Sequence, residues 1–258
     1  MDNISKFTVG QNGLLHMKFA ATRKCVNEHW GKANGKAPWS LWKVNTYLGR
    51  KHIPARWKSK TLAPFRPSQE LMLDFALPAN ILDGYRIHCG ASSLGMWVST
   101  LKSPDDVRAV AEKVVSQLAS ARRVEQLRQT PEKNRDPILE NVILFNRDAL
   151  FLLSFRHAIK NGNVGVILDI LSHWVLSFRG TGKMPKYADA VFHLLISLKQ
   201  ADPILRQAFL DNWLVNLSGR PDGFKENDLY QEHQNFWAKV RVLVYLCATD
   251  TSFHVTYR

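Results

Sequence analysis

The residues best suited to chemistry in this chain stand together near its end, in Gln231-Glu232-His233. A carboxylate beside an imidazole supplies a general acid and base, or two metal ligands. Leu229, His233, Phe236, Trp237, Val240 and Val244 recur at helical spacing and mark one apolar face. Polar groups on a core-facing helix are costly unless each finds a partner. The triplet is therefore either a site or part of a structural polar cluster. In the cluster reading, Arg220, Glu232 and His233 pin the last helix to the loop 219–224.

Phosphodiester chemistry on a pair of Mg²⁺ ions needs two or three carboxylates. Glu232, the weak catalytic candidate, is one, and Asp2 is the only Asp or Glu before Glu28. The expectation is no cofactor and no metal site, with Mg²⁺ needed only if the chain is a nuclease or strand transferase. Other spacings fail sooner. Arg179-Gly-Thr-Gly-Lys183 lacks a phosphate loop's first glycine (Ser177 stands there) and its Ser or Thr after Lys (Met184 instead). It reads as a helix–helix connection. Cys25 and His29 are one turn apart but no second ligand pair follows. Ser218-Gly219 lacks the Gly-x-Ser-x-Gly elbow of a nucleophile. Cys25, Cys89 and Cys247 lie too far apart for a zinc ribbon and read as small buried residues of a reducing compartment.

Charge gives a second lead. The net charge is +13, and residues 1–60 hold 12 Lys or Arg against 2 Asp or Glu. Four of the 8 tryptophans lie in the same stretch. Cations interleaved with aromatics suit a phosphate backbone with stacked bases. The contacts to DNA or RNA would come from Lys18, Arg23, Lys24, Lys43, Arg50, Lys51, Arg56, Lys58 and Lys60, with Trp39, Trp42 and Trp57 stacking. Two plainer readings stay open: a solvated basic surface anchored by its tryptophans, or a charge left unbalanced by missing upstream residues.

These residues need elements to position them. The spacing predicts helices over 14–30, 39–48, 68–88 with a kink at Pro78, and Pro104 to about Arg128. After the linker-like Thr130–Asp136 come closely spaced helices at 137–161, 164–178, 185–199, 203–217 and 228–246. Val191, Leu194, Leu195 and Leu198 form one core stripe, and Leu205, Phe209, Trp213 and Leu217 another. Arg220-Pro221-Asp222-Gly223 is a tight turn, Asn227 an N-cap, and Asp228 favours the positive helix end. The fold class is mainly α: a helical bundle with a basic N-terminal portion and at most a short strand pair near residues 7–18. Residues 1–130 form the basic helical region and 131–258 the bundle, with one continuous domain as the alternative. No apolar run reaches a membrane span and no secretion signal is apparent, so the expectation is a nuclear or cytoplasmic protein with no membrane partner.

The stretch NWLVNLSGRP (Asn212–Pro221), followed by DL-x-QEH-x-NFW (Asp228–Trp237), resembles the C-terminal signature of a fungal family of unassigned function, domain of unknown function family 6589. The likeness extends through Asn12–Lys18, Pro38–Trp42, Leu62–Ser68 and Met184–Asp189, and so covers most of the chain. The family looks transposase-related. The resemblance implies an RNase-H-like ancestry in which Glu232 matches a late metal-binding acid. Family members carry a Gly-Asp-Gln-Leu-like strand before the part matching Gly13–Lys18; this chain lacks it and looks like an N-terminally truncated member. The expected function is a transposon-derived helical domain, catalytically incomplete, that binds nucleic acid through residues 1–60. The alternatives are a non-enzymatic protein-interaction module and a metal-dependent phosphodiester-cleaving or strand-transfer enzyme.

Overall fold

The computed structural model describes residues 13–32, 37, 39–53, 64–182 and 184–249, with side chains as far as Val244. Helix α1 (Leu14–His29) opens after Gly13 and buries Leu14, Met17, Ala21, Cys25 and Val26. Helix α2 (Leu41–Tyr47) starts where Ser40 Oγ accepts the Lys43 N–H at 3.3 Å. Helix α3 (Phe65–Glu70) runs through a π-helical turn, Leu71–Ala76, into α4 (Leu77–His88). Sequence placed the cap at Ser68 and a kink at Pro78. The helix instead begins after Pro64 and buries Ser68 completely. The Leu77 N–H reaches Met72 O, five residues back, so the wide turn precedes the proline that an α-helical ladder accommodates poorly.

Helix α5 (Leu94–Thr100) was not read from the sequence; Ser93 Oγ caps it, accepting the Met96 N–H at 3.2 Å. Helix α6 (Pro104–Leu118) begins as expected, the Asp106 carboxylate accepting the N–H groups of Lys102 (2.8 Å) and Ser103 (2.9 Å). It stops ten residues earlier than expected, and α7 (Ala121–Arg128) restarts after Ser120. The cause is a side chain in the core: fully buried Asn146 donates to Leu118 O at 2.9 Å, giving that carbonyl a partner outside the ladder.

Helix α8 (Pro137–Lys160) is the spine of the molecule. Asp136 caps it, and Phe145, Ala149, Leu152, Phe155 and Ile159 are buried along it. Helices α9 (Val164–Gly180) and α10 (Pro185–Gln200) follow on short loops and pack as neighbours, with Val191, Leu194 and Leu198 buried as predicted and Leu195 packed against them. Arg179 and Gly180 end α9, Thr181 and Gly182 begin the connection to α10, and Lys183 lies outside the described residues.

Helix α11 (Pro203–Asp211) ends six residues short of the expected Leu217, so Phe209 and Trp213 are buried while Leu205 and Leu217 are exposed. The chain then turns into strand β1 (Leu214–Val215), antiparallel to β2 (Lys225–Glu226) with Leu214 opposite Glu226. Helix α12 (Asn227–Thr249) follows directly. The fold is mainly α, and among the described residues this hairpin holds the strands. The strand pair sought near residues 7–18 is not at 14–18, which are helical, and residues 7–12 lie outside the described residues. One contiguous core joins Leu14, Met17, Leu41, Leu71 and Met72 to Phe155, Phe178, Val191 and Trp213. Among the described residues no helix is long and apolar enough to cross a membrane.

Candidate functional site

The hairpin determines what faces the spine. Asn216 Oδ1 accepts the N–H groups of Ser218 (3.2 Å) and Gly219 (3.0 Å), and the Gly223 N–H closes the Pro221-Asp222 turn on Arg220 O at 3.0 Å. The turn is the one its sequence specifies. The returning chain docks on the end of α8: the Phe224 N–H donates to Lys160 O at 3.3 Å. Its ring lies against Gly162, whose φ of +67° and lack of Cβ leave the room.

Folding back in this way opens a cleft of about 400 Å³ between α8, α1, β2 and the start of α12. Arg156, His157 and Lys160 line one wall; Lys225, Leu229 and His233 line the other. At its floor the nearly buried Glu226 pairs with Lys18, so the single carboxylate in the lining is already neutralised. Arg156, Lys160 and Lys225 are exposed and form no ion pair among the described residues. Three free cations and two imidazoles around a concave surface make a site for an anion with several charged oxygens.

The start of α12 is fixed from below. The Asp228 carboxylate accepts the N–H groups of Leu15 (3.1 Å) and His16 (3.3 Å) and meets His16 Nδ1 at 3.0 Å. Sequence gave Asp228 to its own helix; it caps α1 as well. Asn227 Nδ2 donates to Asn212 O at 2.9 Å, tying the same junction to the end of α11.

Three of the basic residues picked from the sequence, Lys18, Lys24 and Arg50, are engaged in ion pairs within the fold. Lys18 pairs with Glu226. Lys24, 5% exposed, pairs with Asp148, which also meets His29 (3.0 Å) and Arg147 (2.7 Å). Burial disfavours the Asp148 charge, but the His29 hydrogen bond and the charges of Lys24, His29 and Arg147 outweigh it and hold the carboxyl well below the usual range. Arg50 bridges Glu70 at 2.8 Å and lies over the Phe75 ring. Arg23 is half-buried and Trp42 is buried. Lys43 sits over the Trp42 and Tyr47 rings, while Lys51 and Trp39 are exposed. Arg56, Trp57, Lys58 and Lys60 lie outside the described residues.

The structure does not bring Arg220, Glu232 and His233 together. All three are exposed, and among the described residues no hydrogen bond or ion pair joins them. The reason is that α12 is solvent-exposed over most of its length, so its apolar face is not core and its polar step needs no buried partner. Cys25 does not pair with His29, which turns to Asp148, and burial pushes the Cys25 thiol well up. Cys89 is a half-buried free thiol, and the Cys247 side chain lies outside the described residues. Among the described residues no group of three or more His, Cys, Asp or Glu is placed to hold a metal ion. The residues that sequence reasoning missed are Arg156, His157, Lys160 and Lys225. The Arg156–Lys160 spacing was a visible signal, whereas Lys225 joins them only through the hairpin.

The model of a family of unknown function (DUF6589) matches residues 2–244, and the chain belongs to that family. No curated protein and no solved structure matches the chain.

Proposed function

We propose that this member of a family of unknown function is a non-enzymatic, transposon-derived helical domain that binds the phosphate backbone of DNA or RNA. The observation that carries the reading is the cleft rim, where Arg156, Lys160 and Lys225 stand unpaired among the described residues around a neutralised floor. A backbone ligand presents repeated anionic oxygens and gains by releasing condensed counterions onto such cations. The contact surface therefore centres on the cleft. The exposed Lys51 and Trp39 remain available to extend it, while Lys18, Lys24 and Arg50 serve the fold.

No catalytic step is part of this reading. Glu232 is exposed and belongs to no group of three or more His, Cys, Asp or Glu placed to hold a metal ion among the described residues, and phosphodiester chemistry on two metal ions needs such a set. The test is anisotropy of labelled duplex DNA, single-stranded DNA and RNA with the wild type and with Arg156→Gln/Lys160→Gln/Lys225→Gln. Binding that weakens with salt, and is lost in the triple variant, supports the reading; wild-type protein that binds none of the three at low salt ends it.

A further inference from the structure

The cationic cleft has a neighbour. A second cavity, of about 510 Å³, lies between the last turns of α8 and the first turn of α9, and it shares Leu153 and His157 with the cleft. Its lining is of a different kind, with no Asp, Glu, Lys or Arg among the described residues. Leu153 (41% exposed) and Val166 (36%) supply apolar surface. His157 stands on the partition, its ring exposed and without a hydrogen bond, ion pair or ring contact among the described residues. Two amides on the α8–α9 loop complete the wall. Asn161 Nδ2 donates to His157 O at 2.8 Å, and Asn163 Oδ1 accepts the Val166 N–H at 3.1 Å. These bonds leave one acceptor, Asn161 Oδ1, and one donor, Asn163 Nδ2, unpaired among the described residues.

We infer that the two cavities together hold one nucleotide of a single strand. Its phosphate lies among Arg156, Lys160 and Lys225, and its unpaired base enters the α8–α9 cavity beside His157. An unpaired base offers a π-face to an imidazole and a hydrogen-bonding edge to amides, which is what the second cavity provides. A lipid acyl chain in the same place would cover both amides without giving them partners. A base within a duplex has its edge paired and its faces stacked, so a duplex offers this surface only its phosphates. The inference rests on the phosphate-backbone reading of the cleft and adds to it a preference for single strands.

Anisotropy of labelled oligothymidylate and oligouridylate tests it, each against an abasic strand of the same sugar and length. The phosphates are then equal and only the bases differ. The wild type is expected to bind at least one base-bearing strand about tenfold more tightly than its abasic counterpart, and the sugar that shows the margin identifies DNA or RNA. His157→Ala should abolish the margin, while His157→Phe, which keeps a ring, should retain it. Both variants should keep the wild-type unfolding midpoint, since the side chain is exposed. Arg156→Gln/Lys160→Gln/Lys225→Gln should weaken base-bearing and abasic strands alike. Abasic strands bound as tightly as ordinary ones overturn the inference and leave the phosphate reading standing. So does a margin that survives His157→Ala, or one that His157→Phe fails to retain. A wild type that binds no strand at low salt overturns both.

Discussion

Asp228 accepts the backbone N–H of Leu15 at 3.1 Å, although 213 residues separate the two. Helix α1 has no cap of its own, because the residue before it is Gly13. A Cβ at Gly13 would overlap the Asp228 carboxylate, so the glycine leaves the space that a remote acid fills. The last helix thereby satisfies the first turn of the first helix. The same contact fixes the β2–α12 junction, and with it Lys225 and Glu226 in the cleft.

Removing that cap exposes its contribution. Asp228→Ala is expected to destabilise the fold by about 1–2 kcal/mol, the usual cost of an N-cap, read as a lower urea midpoint with unchanged slope. Gly13→Ala displaces the same carboxylate, so the double variant should cost less than the sum of the two. Additive losses would show that the two residues do not act on one contact.

The helices were legible because local signals set them: Asp136-Pro137 and Ser103-Pro104 start α8 and α6 where expected, and the Val191–Leu198 stripe is buried. Three of the errors share one physical origin, a partner remote in sequence. Asn146 ends α6 early, a hairpin replaces the last turns of α11, and Asp228 turns to α1. The cleft was the least legible part. Its cations come from α8 and β2, and the Lys18 that composition offered as a ligand is held by Glu226. The α12 stripe was read correctly as apolar, but periodicity cannot say whether a face meets the chain's own core or another molecule.

Glu140 gives the fold an acid-sensitive tie. Hydrogen bonds from Arg135 and then Arg128 lower its pKa from 4.5 to about 2. A folded-state pKa below the unfolded one adds stability that is complete above the unfolded value and lost as pH falls through the folded value. The Glu140 contribution should therefore be full above pH 4.5 and fade towards pH 2. Glu140→Gln should flatten that limb of the stability–pH curve and leave its shape above it unchanged. An unaltered acid limb would contradict the assignment.

Lys24 and Asp148 should behave as a buried pair. Asp148→Ala leaves the Lys24 ammonium buried beside Arg147 with its counter-charge gone, and the expected loss is about 3–5 kcal/mol. Lys24→Met/Asp148→Leu should recover much of it, because replacing both charges by apolar groups removes the desolvation cost together with the attraction. Denaturant unfolding distinguishes the cases; a double variant as unstable as Asp148→Ala would argue against a pairwise coupling.

The most direct measurement compares the salt dependence of DNA affinity in wild type, Arg156→Gln/Lys160→Gln/Lys225→Gln, and Lys43→Gln/Lys51→Gln. Each phosphate contact contributes about 0.9 to the slope of log affinity against log salt on duplex DNA. Where the triple variant retains measurable affinity at low salt, its slope should be shallower by about 2–3, while the Lys43/Lys51 variant should lose about 1–2 at most. A triple variant with the wild-type slope, or a larger loss in the Lys43/Lys51 variant, would contradict a binding surface centred on the cleft.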